Sequence, residues 1–307
     1  MRYERLHPAE YAELEAQITI VEGESTLVDV SNFVAREEAR TTLKRIIQRI
    51  DELLVGADKG EKKRLRALKR HGLKVKSSLD HANEQLFVTY REKIRLGDYS
   101  TTALRAQFRG YVADAPEEWD DPPRYDHLDT FVDGLLQIGD LPRTQRQPDA
   151  EMVAYQPTPA RIVLDMVERL PLCAEDVLYD LGSGLGRMVL TVALLSESQV
   201  KGVEYEPSYV DYARRRARDL NLTRAAFIDA DAREVNYGDG TVFFLYTPFK
   251  GKILQRVLEL LRYQARKRRI RICTYGPGTF DILPQDWFST ADGSEPDLHR
   301  VTIFEST

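Results

Sequence analysis

Val177-Leu178-Tyr179-Asp180-Leu181-Gly182-Ser183-Gly184-Leu185-Gly186-Arg187 decides how the rest of the chain is read. Its first half is apolar with an acid near the end, the pattern of a buried strand. Met188 to Leu195 is then apolar on almost every side, as expected of a helix that covers a parallel sheet. Three glycines at alternate positions allow a tight turn and a close approach of backbone to a ligand. The Asp180 carboxylate and the free amides at the helix start face one another across a crevice, which is the outline of a ligand site.

Downstream, strand and helix patterns alternate. Val200 to Glu204 is a short strand ending in an acid, 24 positions after Asp180, a spacing that suits a carboxylate accepting from the two hydroxyls of a ribose. A helix through Tyr209 to Leu220 follows, then a third strand at Ala225 to Ile228 and an acidic turn, Asp229-Ala230-Asp231-Ala232. Thr241 to Tyr246 makes a fourth strand, Ile253 to Leu261 a helix, and Ile270 to Tyr275 the next strand. Arg300 to Phe304 is expected as a last strand at the sheet edge. Such alternation specifies an α/β, doubly wound, mostly parallel sheet whose ligands bind at the carboxyl ends of the strands.

Upstream of the loop, Tyr155-Gln156-Pro157-Thr158-Pro159 reads as a helix entry, with Thr158 as cap and Pro159 as first helical residue. Leu141-Pro142 through Pro148 is polar and turn-like. Leu128, Phe131, Val132, Leu135 and Leu136 make one short amphipathic helix, and the prolines of Ala115 to Pro123 mark a boundary. Residues 1 to about 112 read as helices, with Leu43, Ile46, Ile47, Ile50, Leu53 and Leu54 at helical spacing. The expected division is a helical domain over 1–125, a connecting helix and linker over 126–149, and a ligand-binding domain over 150–307.

A chain of 307 residues with 42% hydrophobic residues can build two ordinary cores, and no segment has the apolar length of a membrane span. Its start is charged rather than signal-like, and its two cysteines, Cys173 and Cys273, have no metal-ligand spacing, so a soluble, cytoplasmic protein without a metal site is expected. The net charge of −5 gives no global attraction to nucleic acid or anionic membrane. One strongly basic run, Lys59 to Lys76, is a solvated helix face or a site for an acidic partner.

A dinucleotide fold needs a third glycine or alanine where this chain has Arg187, and no catalytic histidine is evident. An acid leading the loop repels a pyrophosphate but suits the ammonium of an amino-acid moiety. With Glu204 and Asp231 in order behind it, residues 150–307 resemble the class I S-adenosylmethionine-dependent methyltransferases. The resemblance implies a seven-stranded Rossmann-like methyltransferase sheet preceded by the α-helical N-terminal domain. It implies S-adenosylmethionine as cofactor, held by Asp180, Gly182, Ser183, Gly184 and Gly186, by Glu204 at the ribose, and by Asp231 and Ala232 at the adenine.

More narrowly, Tyr155-x-x-Thr158 before a helix, Asp180 to Gly186, and Val189-Leu190 resemble the non-SET histone-lysine methyltransferases of the disruptor-of-telomeric-silencing type. There the tyrosine and threonine segment forms a loop over the cofactor, a role carried to Tyr155 and Thr158. The chain departs from that family after the fourth strand. Tyr246-Thr247-Pro248-Phe249 keeps an aromatic but lacks the amide both of that family and of the amino-group DNA methyltransferases.

Methyl transfer from an activated sulfonium needs an aligned nucleophile, exclusion of water and, for an amine, loss of its proton. Tyr155, Tyr246, Phe249 and Tyr275 are the residues expected to wall an acceptor channel. The expected acceptor is a macromolecule, a protein lysine first. A nucleic-acid or small-molecule methyltransferase and a cofactor-binding regulatory protein are the rival readings.

Overall fold

The computed structural model describes residues 8–29, 31–112, 125–291, 293 and 295–307. The charged start and the proline-rich stretch Ala115 to Pro123 lie outside the described residues. Two compact units divide between Tyr90 and Arg91.

The first unit contains α1 (Pro8–Gly23), α2 (Phe33–Gly56) and most of α3 (Lys59–Arg95). Leu43, Ile46, Ile50 and Leu53 of α2 recur at helical spacing and are buried with Leu14, Ile18, Leu65, Leu68 and Leu79. Beside this core Arg36, fully buried, donates to Asn83 Oδ1 at 2.6 Å and to the carbonyls of Leu27 and Asp29, both at 2.7 Å. The basic run is the first half of α3. Lys69 pairs with Asp51 and Lys76 with Asp80, while Lys59, Lys63, Arg66, Arg70 and Lys74 stay exposed.

The second unit opens with α4 (Thr101–Arg109), capped by Ser100, and α5 (His127–Leu136). The division therefore falls well before residue 125, for a physical reason. Leu104, Phe108 and Tyr111 bury their faces with Phe131 of α5, so α4 belongs to the core of the sheet-bearing unit.

That sheet has the order β3-β2-β1-β4-β5-β7-β6. Its strands are β1 (Val177–Leu181), β2 (Gln199–Glu204), β3 (Ala225–Asp229), β4 (Val242–Leu245), β5 (Arg271–Thr274), β6 (Phe288–Thr290) and β7 (Thr302–Ser306). The first five pair in parallel and β7 runs antiparallel between β5 and β6. The expected edge position of the last strand is thus corrected. Phe288 and Trp287 are buried, and the short β6 they anchor takes the edge instead.

The remaining helices are α6 (Ala160–Arg169), α7 (Arg187–Leu195), α8 (Pro207–Asp219), α9 (Gly251–Ala265) and α10 (Gly278–Ile282). Every residue of α7 is buried, as its all-round apolar sequence requires. Ile253, Leu254, Val257, Leu258 and Leu261 of α9 bury one stripe in a core with Tyr179, Tyr237 and Phe243. Strand order reverses where β1 lies between β2 and β4, so a crevice opens at the carboxyl ends of these strands. No described helix is long and apolar enough to cross a membrane.

Candidate active site

The glycine loop leaves β1 with Gly182, Gly184 and Gly186 at φ of 83°, 53° and 80°. At Gly184 the close approach is explicit: a β-carbon there would stand 2.1 Å from Cε2 of Tyr155. On the neighbouring strand, Gly202 makes room for the loop, since a β-carbon there would meet Ser183 Oγ at 2.5 Å. The Ser183 hydroxyl is buried and has no hydrogen-bond partner among the described residues.

Two acids lie beneath and beside this loop. Asp180 is 4% exposed, and among the described residues nothing donates to its carboxylate. Burial, reinforced by the charge of Glu204, pushes its pKa up to about 8. Glu204 accepts from the Gly184 amide at 2.8 Å and from the Glu206 amide at 2.8 Å. Burial still raises its pKa, because those backbone donors only partly offset desolvation. The pair is a buried, electron-rich corner built to receive positive charge and hydrogen-bond donors.

A cavity of about 520 Å³ opens at this corner. Tyr155, Gly182, Glu204, Asp231, Ala232, Tyr246 and Phe249 line it, all of them singled out from sequence. Asp231 is tied to Arg233 by contacts of 2.6 and 3.0 Å, and this pairing holds its carboxyl below the usual range. Ala232 turns its carbonyl to the Tyr237 hydroxyl at 2.7 Å. The other expected residues stand behind the lining. Asp180, Ser183, Gly184 and Gly186 are buried and outside the lining, and Tyr275 packs its ring against Tyr246 with centroids 4.8 Å apart.

Thr158 is buried but is not the cap of α6. The helix starts at Ala160 with Pro159 in the cap position and no side-chain cap. The orphan amide of Ala160 is met by Asp129 Oδ1, at 2.8 Å, from α5. A carboxylate 31 residues upstream thus does the work expected of Thr158.

One wall went unread in the sequence. Leu141, Thr144, Arg146 and Pro148 also line the cavity, on a strap held by Glu206. Glu206 accepts from Gln145 N at 2.9 Å, from Arg146 N at 2.9 Å, and from both the amide and the hydroxyl of Ser208. Burial alone would raise its pKa, but the hydrogen bonds from Arg146, Ser208 and Gln145 outweigh it and hold the carboxyl low. Arg146 reaches on to Tyr205 O at 2.6 Å and Asp229 Oδ1 at 2.7 Å. No local signal marks this strap, because its partner lies about 60 residues away.

The opposite wall is a seam between two loops. Val153 N donates to Pro248 O at 3.0 Å and Lys250 N to Glu151 O at 2.9 Å, around a bridge between Met152 and Phe249. Glu151 also caps α9 through Ile253 N at 2.9 Å. The seam fixes Tyr246-Thr247-Pro248-Phe249 over the crevice, with Thr247 at a φ of 44° and its hydroxyl accepting from Gly278 N. Among the described residues no group of His, Cys, Asp or Glu is arranged to hold a metal ion.

The residues fit a ligand with a cationic amino-acid end. Asp180, with no donor among the described residues, and the Glu204 carboxylate at a strand end supply the acceptors, and Gly182 is the one exposed residue of the loop between Asp180 and Arg187. Residues 178–263 match the family model of a methyltransferase domain. A protein-lysine N-methyltransferase from Saccharolobus islandicus (strain REY15A) is 29% identical over 117 residues, which is 38% of this chain and 69% of the relative. Among solved structures, the chain is similar to an RNA methyltransferase from Salinibacter ruber in complex with S-adenosyl-L-homocysteine. The identity there is 25%, with 50% of this chain and 93% of that one covered and a TM-score of 0.37. For an S-adenosylmethionine-dependent methyltransferase from Geobacter sulfurreducens in complex with the same product, the identity is 22%, the coverage 37% and 47%, and the TM-score 0.31.

Proposed function

We propose that this S-adenosylmethionine-dependent methyltransferase methylates the side-chain amine of lysine in a protein. The observation that carries the reading is the aromatic wall beside the acid corner. Tyr155, Tyr246 and Phe249 line the cavity, and the Tyr155 hydroxyl is buried with no partner among the described residues. The named function of the Saccharolobus islandicus relative supports a protein acceptor.

When bound, the cofactor supplies a methyl group on a sulfonium. The chain's own residues have three tasks. Asp180 would hold the cationic end of the cofactor and Glu204 its ribose hydroxyls, with Asp231 and Ala232 the residues that would take the adenine. The Tyr155 and Tyr246 rings and Pro248 exclude water from the point of attack. A lysine amine, with an ordinary pKa of about 10.4, must shed a proton before it attacks, and an apolar surround favours that neutral form. Burial raises the pKa of Tyr155 and Tyr246 too, so both phenols stay protonated at neutral pH and offer hydroxyls, not charges, to the amine.

The test is transfer of labelled methyl from S-adenosylmethionine to fractionated lysate. Label that survives nuclease, is lost after protease and is recovered as methyl-lysine on hydrolysis is the expected result. Label lost after nuclease would replace this reading with a nucleic-acid acceptor.

A further inference from the structure

Arg187 occupies the position where a dinucleotide-binding loop carries its third small residue, and it is 3% exposed. Its guanidinium is used on every side. Nε donates to Asp133 Oδ1 at 2.6 Å, Nη2 to Asp129 Oδ1 at 2.7 Å and Asp129 O at 3.2 Å, and Nη1 to Thr158 O at 2.5 Å. Burial would discharge the group, but Asp133 and Asp129 outweigh it and keep the cation. Asp129 is itself fully engaged, by Ala160 N at 2.8 Å and by Asp126 N at 2.7 Å.

These contacts join parts of the molecule that matter to the cavity. Arg187 follows Gly186 directly, so its backbone ends the glycine loop. The Thr158 carbonyl lies three residues after Tyr155, whose ring covers Gly184. One side chain therefore ties the glycine loop to the segment that covers it, using α5 as the anchor. A residue needed only for helix packing would have no reason to reach the Thr158 carbonyl.

We propose that Arg187 is a positioning residue for the cofactor: it holds the Tyr155 to Thr158 segment closed over the glycine loop and so sets how long S-adenosylmethionine stays bound. It acts through Thr158 and Tyr155 and does not itself line the cavity. Weakening the latch shortens residence and leaves association nearly unchanged, because entry does not require the closed segment.

The full-length protein and labelled S-adenosylmethionine suffice for the test, with no acceptor present. Arg187→Met is expected to raise the dissociation rate by about tenfold or more, Arg187→Lys less, and Asp133→Asn by a few-fold, each with an association rate near that of the parent. The decisive measurement is a double-mutant cycle with Tyr155→Ala. If Arg187 acts through Tyr155, the double variant releases the cofactor no faster than Tyr155→Ala alone. Multiplicative effects of the two changes, or unchanged release from folded Arg187→Lys and Asp133→Asn, would overturn the proposal. The two milder variants keep the test informative if Arg187→Met does not fold. Absence of binding by the parent protein would overturn this proposal and the cofactor assignment together, whereas a non-protein acceptor would leave it standing.

Discussion

The ring of Tyr155 lies against the backbone of Gly184 so closely that a β-carbon on the glycine would come within 2.1 Å of it. Gly184 also sits at a φ of 53°, where a β-carbon strains the backbone. Its amide, moreover, is the donor to Glu204. Gly184→Ala is therefore expected to weaken S-adenosylmethionine binding by about tenfold or more, with a cost of about 1–3 kcal/mol in stability. Calorimetric titration and thermal melting check the two effects. Unchanged affinity would mean that the loop does not carry the cofactor.

Removing only the Tyr155 hydroxyl separates packing from chemistry. Among the described residues the oxygen is buried without a partner, so Tyr155→Phe loses no internal hydrogen bond and relieves an unsatisfied hydroxyl, and stability should hold or rise, by up to about 1–3 kcal/mol. If the hydroxyl receives the acceptor amine, kcat falls about tenfold while the KM for the cofactor holds. Steady-state kinetics on the acceptor found in the lysate assay decide it. Equal loss in both parameters would place the hydroxyl in cofactor binding instead.

Asp180 gives the apo protein a distinctive pH dependence. Its pKa rises on folding from an ordinary 3.8 to about 8, so between these values the native state holds a proton that the unfolded chain releases. Stability of the apo protein should accordingly fall as pH rises from about 4 towards 8, the loss being complete above the folded pKa. Asp180→Asn should flatten this slope. Cationic groups on the cofactor favour the ionised carboxylate, so binding at pH 7 should release a proton. Titration calorimetry in phosphate and in Tris detects that release as a difference in apparent enthalpy, and identical enthalpies after correction for cofactor dilution would contradict it.

The parts legible in the sequence are those fixed by local chemistry. Asp180 to Gly186 announces its turn through glycine spacing, Glu204 announces a strand end, and the hydrophobic periods of α2, α5 and α9 match the faces they bury. What escapes is settled by distant partners. Asp129 caps α6 in place of Thr158, Arg187 is paired across 54 and 58 positions, and Tyr275 is drawn behind Tyr246 instead of into the cavity. In each case the residue type suggests a role, but the partner that assigns it is brought near only by the packing of α5 or β5. The antiparallel insertion of β7 is hidden for the same reason. Its apolar alternation suits an edge or an interior strand equally, and only the burial of Phe288 decides.

The strap over the cavity depends on one carboxylate. Glu206 meets the amides of Gln145 and Arg146 while capping α8 through Ser208, and the strap carries four lining residues, Leu141, Thr144, Arg146 and Pro148. Glu206→Ala strips two backbone donors of their acceptor and takes the cap from α8, at a cost of about 1–2 kcal/mol for the cap alone. Hydrogen exchange should accelerate at Gln145 and Arg146, and cofactor affinity should fall, while the glycine loop keeps its protection. Because the Glu206 pKa is lowered on folding, its stabilisation is present above its ordinary value of 4.5 and is lost as pH falls through the lower folded value. Acidification through that range should therefore loosen the strap in the parent protein and leave the alanine variant unaffected. Exchange at these two amides that does not change with the substitution would show that the strap is held by Arg146, through Tyr205 O and Asp229, and not by Glu206.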